Sequence, residues 1–187
     1  LVGSLCSAVI ISTLFHLPDP RTAGSNNPGA TNVLRLSGKF YAILVLVADL
    51  LKGTLPVLLA RILGADDITL SWMCLAAVLG HIYPVFFNFK GGKGVATAIG
   101  SILGLHVGLG GSVIATWIIV AFVSHYSSLA SILAIGLMPE FAFWVIPTFA
   151  LLPLSLMTLI VLWQHRENFK RLIAGTESKL NLGRGNP

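Results

Sequence analysis

Long apolar runs separated by short polar segments fill this chain. Candidate spans lie at 1–17, 40–63, 68–88, 94–109, 111–125, 127–139 and 141–163. The runs are unbroken, which excludes the alternating pattern of a membrane β-barrel. Lipid gives backbone N–H and C=O groups no water to bond, so the runs must be helices. Three of them, 94–109, 111–125 and 127–139, fall short of the ~20 residues that cross a hydrocarbon core, so that region can also be read as fewer, broken helices. The interrupting polar residues gather in three islands: Gly24 to Asn32, Lys90 to Gly94 and His165 to Asn168. A protein that only had to span would not collect Gly, Asn, Ser and basic residues between its helices, so chemistry is expected there.

Composition settles the class. Hydrophobic residues make up 55% of the chain and charged ones 10%, against about a quarter charged in soluble domains, and the mean hydropathy is +0.86. The expected fold is an all-α integral membrane protein, a single domain over 1–187 built as a seven-transmembrane-helix bundle with some short helices. The apolar stretch from Leu1 to Phe15 lacks the charged start and small-residue cleavage site of a signal peptide, and the missing initiator Met suggests a first helix truncated at its N-terminus. Charge supplies an orientation. With the N-terminus outside and the C-terminus cytoplasmic, Arg21, Arg35, Lys39, Lys90, Lys93, Arg166, Lys170, Arg171, Lys179 and Arg184 all fall on the cytoplasmic side, while the external connections hold Asp66, Asp67 and Glu140. The same topology brings the three islands and the turn at His125 to Ser128 to one face, which argues for a single cytoplasmic site. Cys6 and Cys74 lie in apolar runs and read as small hydrophobes. The five His are dispersed without a carboxylate or Cys cluster, so neither metal nor cofactor is expected.

In the first island, the run from Gly24 through Ser25 and Asn32, followed by Arg35 and Lys39, offers close backbone approach, amides, a hydroxyl and a guanidinium suited to phosphate oxygens. A turn and helix cap would need only one or two of these residues. Lys39 serves equally well as a membrane-surface anchor. The second island is not a P-loop, because no strand precedes it and Gly94, not Ser or Thr, follows Lys93. It reads as a glycine-rich turn of Gly91, Gly92 and Gly94 feeding a helix N-terminus, where free N–H groups and Lys93 would attract an anion. Lys90 reads as an anchor, and His81 and Tyr83 as polar groups packed in the bundle. In the third island His165 and Asn168 share a helix face; in helical register Lys170 or Arg171 cannot join them both, so Arg166, Lys170 and Arg171 read as a solvated basic tail. His165, at the membrane boundary, is placed to orient a hydroxyl or to donate to an oxyanion.

Within the spans, Asp49 and Lys52 are three apart and are expected to pair, because isolated charges are costly in lipid. Ser127 and Ser128 can donate to phosphate or to a helix carbonyl. Gly100, Gly104 and Gly108 recur every four residues and mark a close-packed helix contact.

Three ordered motifs resemble a known family: Gly24-Ser25-x-Asn27-x-Gly29-Ala30-Thr31-Asn32-x-x-Arg35, Gly80-His81 to Thr97, and His165-Arg166-Glu167-Asn168-x-x-Arg171-Leu172-x-x-Gly175-Thr176-Glu177. Together they resemble the bacterial acyl-phosphate-dependent glycerol-3-phosphate acyltransferases, the PlsY family. The resemblance implies a seven-helix enzyme of the bacterial inner membrane that moves a fatty acyl group from acyl phosphate to the sn-1 hydroxyl of glycerol 3-phosphate, giving lysophosphatidic acid and phosphate, with no obligate protein partner and no nucleic acid. It assigns His165, Ser25 and Arg35 to catalysis and Lys93, Ser127 and Ser128 to substrate binding, and matches Asn32 and Asn168 to motif positions beside them; the glycine turn of Gly91, Gly92 and Gly94 is expected to bind substrate from its own residues alone. The chain departs from the family in Gly3-Ser4-Leu5-Cys6, where a proline usually follows Gly-Ser, and at Asn26, Pro28 and Phe169. A transporter of a small phosphorylated anion is the alternative, since basic rings and broken helices also build permeation paths. The one-sided islands and the lack of an inverted repeat weigh against it.

Overall fold

The computed structural model describes residues 1–180 and contains, among them, helices and turns but no strand. Arg184, counted above on the cytoplasmic side, lies outside the described residues. After a 3-10 turn at Val2–Ser4, the helices are α1 (Ser7–Leu14), α2 (Ala30–Ser37), α3 (Lys39–Ile62), α4 (Asp67–Ile82), α5 (Val95–Leu105), α6 (Val107–Ser124), α7 (Ser127–Gly136), α8 (Met138–Phe143), α9 (Leu151–Gln164) and α10 (Arg166–Ile173). Three stretches are long and apolar enough to cross a membrane: Lys39–Ile62, Asp67–Phe87 and Val107–Ser124. A fourth is added if α9 with its preceding turn and α10, bent by 54° at His165, count as one span.

The pattern marks the apolar segments but misplaces two breaks. The fourth and fifth expected spans part at His106, not at Gly110. His106 adopts an extended backbone, and its Nδ1 accepts from the Leu109 N–H at 3.1 Å, capping α6. Gly108 therefore belongs to α6 and leaves the expected glycine face. The last expected span, 141–163, is divided into the end of α8, a turn at Thr148–Ala150 and α9; Pro147 precedes that turn and disfavours a continuous helix there.

α3 and α5 cross at glycine. A Cβ on Gly100 would overlap the Leu50 carbonyl oxygen, and one on Gly53 the Thr97 carbonyl oxygen, while one on Gly104 would sit 2.8 Å from the Thr54 carbonyl oxygen. Thr54 Oγ1 donates across the crossing to Gly100 O at 2.8 Å. Such close backbone approach is what membrane helices use where lipid removes the hydrophobic drive to associate. Asp49 and Lys52 are buried and paired at 2.7 Å, and Lys52 Nζ also donates to Leu5 O at 2.7 Å, tying the first segment to α3. The core runs through α4, α5 and α9, with Cys74, Val78, Ile102, Leu105, Leu154 and Met157 fully buried. Outward faces carry exposed Phe122, Val123 and Leu159, as a lipid-facing surface requires. At the end of α3 remote from Lys39, Arg61 pairs with Asp67 at 3.1 Å, so that end carries a cation, matched in charge, which the loop-by-loop reading did not count.

Candidate functional site

The first island is a loop closed by one side chain. Asn32 is 1% exposed. Its Oδ1 accepts from the Ser25 N–H at 2.9 Å, and its Nδ2 donates to Pro20 O and Ala23 O, each at 3.0 Å. All its polar atoms are thus spent inside the loop, and Asn32 is a positioning residue for Ser25. The turn continues into α2, a helix the pattern alone did not mark, which buries Asn32 and Val33 and sets Thr31 and Arg35 on the opposite, open side.

The second island is zipped onto the end of α4. Gly91 N donates to Ile82 O at 3.2 Å and Gly92 N to His81 O at 3.3 Å, which satisfies carbonyls that a helix C-terminus leaves without partners. A Cβ on Gly91 would overlap those carbonyls, and one on Gly92 the His81 ring. The expectation that both glycine amides meet an anion is therefore corrected: they are committed to α4, and the two residues line a separate, smaller pocket. Gly94, at φ +89, turns the chain into α5, and it and Lys93 face the main cavity.

The third island bends. His165 separates α9 from α10, is 4% exposed, and holds Nδ1 2.8 Å from Val161 O. A carbonyl only accepts, so Nδ1 carries the proton and Nε2 is left as an acceptor. Beyond the bend Asn168 and Arg171 line the same cavity as His165, which corrects the reading of Arg171 as part of a solvated tail. Asn168 and Arg171, three apart within α10, share one face of that helix. Arg166, read with Arg171 as solvated tail, also lines the cavity and stacks on Trp163 at 5.1 Å, whereas Lys170 is exposed and pairs with Glu167 at 3.0 Å.

These pieces surround one cavity of about 810 Å³. Its polar lining includes Ser25, Arg35, Lys93, Ser127, Ser128, His165 and Asn168, and its apolar lining includes Leu46, Leu50, Ile99, Ile114, Trp117 and Ile118. Lys93 Nζ donates to Asn168 Oδ1. Burial, with the Arg171 and Arg35 charges nearby, pulls Lys93 down from 10.5 to about 8 against the opposing Glu177 carboxylate. Ser127 Oγ is 3.2 Å from Thr31 Oγ1. Ser128 Oγ is buried close to Glu177 without a well-formed hydrogen bond. Trp117 is fixed by Nε1 donating to Ser131 Oγ at 3.0 Å.

Sequence reasoning left Glu177 and its segment without a role. Glu177 accepts from Asn168 Nδ2 and from Arg171 Nε, each at 2.7 Å. Arg35 Nη2 donates to Ser178 O at 3.3 Å, and Leu180 N to His125 O at 2.7 Å. Residues 176–180 thus strap the cavity mouth from α10 to the α6–α7 turn. No periodicity marks a polar tail as a strap; only Arg171, three residues after Asn168, carried a readable signal. Asp49 and His81 also reach the cavity, with Thr97 Oγ1 3.1 Å from His81 Nδ1.

Comparison with known proteins gives a consistent result. Residues 1–175 match the family model described as Glycerol-3-phosphate acyltransferase. A protein named Glycerol-3-phosphate acyltransferase from Legionella pneumophila (strain Corby) is 54% identical over 183 residues, spanning 97% of this chain and 66% of its own length. One of the same name from Colwellia psychrerythraea is 48% identical over 180 residues, covering 96% of this chain and 91% of its own. The chain thus spans just under two thirds of the Legionella relative. Among solved structures, PlsY (YgiH), described as an integral membrane glycerol 3-phosphate acyltransferase in its glycerol 3-phosphate form, superposes with a TM-score of 0.91 at 40% identity, over 97% of this chain and 91% of that one. Its lysophosphatidic acid form gives 0.87 at 39%, over 96% and 90%.

Proposed function

The chain belongs to the glycerol-3-phosphate acyltransferase family, and from that premise we propose that it transfers a fatty acyl group from acyl phosphate to the sn-1 hydroxyl of glycerol 3-phosphate, yielding lysophosphatidic acid and inorganic phosphate. One observation carries the reading: a single cavity is lined both by polar groups, Arg35, Lys93, Ser25 and the serine pair, and by apolar ones, Leu46, Ile99 and Trp117. Both substrates bring phosphate, one brings an acyl chain, and the product is an amphiphile, so a site of these two characters fits all of them. The wider proposal is a seven-span protein of the bacterial inner membrane, with its N-terminus outside and the cavity facing the cytoplasm.

Acyl phosphate is already activated, so no covalent enzyme intermediate is needed. The glycerol hydroxyl oxygen bonds to the acyl carbonyl carbon, the bond from that carbon to the phosphate oxygen breaks, and phosphate departs with the electron pair. Arg35, Lys93 and the hydroxyls of Ser25, Ser127 and Ser128 hold phosphate and offset its charge. Asn168 holds Lys93, while Asn32 holds the Ser25 loop. Two acceptors compete for the hydroxyl proton: His165 Nε2 and the phosphate group of glycerol 3-phosphate itself.

The test is release of phosphate and formation of lysophosphatidic acid by the purified full-length protein, supplied with glycerol 3-phosphate and palmitoyl phosphate, with palmitoyl-CoA in parallel. Turnover with acyl phosphate alone is expected. Turnover only with the thioester would overturn the donor, and none with either would overturn the reaction.

A further inference from the structure

A second pocket lies on the far side of the glycine turn. It measures about 290 Å³ and is lined by Arg21, Asn26, Tyr83, Phe89, Lys90 and Gln164, with the backs of Pro28, Gly91 and Gly92 as its wall. Gln164 alone is common to both linings, and its Nε2 donates to Tyr83 Oη at 3.4 Å. The two lysines of Lys90-Gly91-Gly92-Lys93 are thereby sorted: Lys93 serves the large cavity and Lys90 the small one.

The lining has the character of an anion site. Lys90 enters none of the ion pairs formed among the described residues, so its charge is not neutralised. Arg21 is paired with Asp19, with Nε 3.1 Å from both carboxylate oxygens and Nη2 donating to Oδ2 at 2.7 Å, so that Lys90 supplies the uncompensated charge and Arg21 offers its remaining guanidinium N–H groups. Asn26, Tyr83 and Gln164 add amide and hydroxyl donors. Two of the residues around the pocket, Asn26 at φ +55 and Phe89 at φ +58, are non-glycine residues in the left-handed region. That conformation is unusual for an aromatic residue, and strain of this kind collects at ligand clamps. The rim is apolar: Phe89 is 62% exposed, and Phe86, Val85 and Tyr83 beside it are exposed as well. Aromatic side chains beside an unpaired lysine are the pairing found where protein meets lipid headgroups.

We infer that this pocket is a second phosphate-binding site, in which Lys90 and Arg21 take the phosphate headgroup of an anionic lipid whose chains lie against Phe86 and Phe89. It is separate from the acyl-transfer cavity, and its existence does not depend on the reaction proposed above. Free phosphate compounds share the same chemistry, and the test separates the two sources.

The test uses the full-length protein in the Lys93→Ala background, which weakens phosphate binding in the large cavity. Binding is measured in nanodiscs of zwitterionic lipid with and without phosphatidic acid, and in detergent with inorganic phosphate or glycerol 3-phosphate. Lys90→Gln is the probe, and Lys170→Gln, an exposed lysine paired with Glu167, is the control for surface charge. The expected result is that Lys90→Gln weakens phosphatidic acid binding at least fivefold, Lys170→Gln leaves it within twofold, and the soluble phosphates show no difference between variants. A Lys90-dependent loss with the soluble phosphates instead would support the phosphate site and replace the lipid by a free ligand. Equal losses with Lys90→Gln and Lys170→Gln, or none with Lys90→Gln, would overturn the site. In the Lys93-containing protein, Lys90→Gln is expected to leave acyl transfer in detergent within twofold, so failure here is distinguishable from failure of the proposed reaction.

Discussion

His165 and Lys93 bring opposite protonation demands to one cavity. The Val161 carbonyl fixes the His165 proton on Nδ1, so the imidazole can accept at Nε2 only while neutral. Replacing His165 by Ala is expected to lower kcat by about a hundredfold or more, the range of general acid–base contributions, with KM changed little. Unchanged kcat would remove His165 from the mechanism. Lys93, in the proposed reaction, must instead be charged to hold phosphate. Its value of about 8 in the free protein means that raising the pH through 8 discharges it, so kcat/KM is expected to fall on that alkaline limb. Lys93→Arg, charged at any accessible pH, should move the limb upward; an identical limb in both proteins would assign it to another group. Stability runs the other way. The folded state gives up this proton near 8 and the unfolded chain near 10.5, so between those values the unfolded chain binds more protons, and the contribution of Lys93 to stability rises with pH.

At the level of elements, the α3–α5 crossing offers the sharpest contrast. A Cβ at Gly100 meets the Leu50 carbonyl, which is backbone and cannot swing aside, whereas a Cβ at Gly111 on α6 meets nothing within 4 Å. Gly100→Ala is expected to destabilise the protein by about 1–3 kcal/mol through overpacking, and Gly111→Ala to be neutral or to stabilise by up to about 1 kcal/mol through helix propensity. Thermal unfolding in detergent compares the two; equal midpoints would mean that the crossing yields. This contact was legible because spacing by four is a property of sequence. The paired Asp49 and Lys52 were legible likewise, from a spacing of three that brings two charges onto one helix face. What escaped was set by three-dimensional context. His106 caps α6 through its ring nitrogen, a role that Ser or Asp would have announced. α2 is too short and polar to show as an apolar run. Arg171, three residues after Asn168 within α10, shares its face by ordinary helix spacing, a pairing hidden by the demand that His165 join them in one straight helix. Strap residues such as Glu177 find partners only through folding, so no local pattern could reveal them. The site's members from Ser25 to Asn168 were legible as polar islands, but the division of labour among them was not: Asn32 reads as a ligand in sequence and as a brace in structure.

For the whole molecule, the question is which side of the membrane the cavity faces. The loop between α1 and α2, the glycine turn, the α6–α7 turn and α10 all meet at one end, where Lys39 begins α3. α3 runs 24 residues from there to Ile62, enough at about 1.5 Å per residue to cross a hydrocarbon core, and ends beside the Arg61–Asp67 pair. Most of the basic residues thus collect at the cavity end, and the rule relating Lys and Arg to the cytoplasmic side supports the orientation proposed above, with the cavity facing the cytoplasm. Glycerol 3-phosphate is charged and does not cross a bilayer unaided, so the same side is the one the proposed reaction requires. Both native cysteines are buried, which makes single introduced cysteines clean reporters. In intact cells, a membrane-impermeant maleimide is expected to label Asp66→Cys at the far end and to spare Lys170→Cys on α10 until the cells are opened. The reverse pattern would put the cavity outside, where acyl transfer from a cytoplasmic donor is untenable. It would also favour a permeation role for the same basic residues.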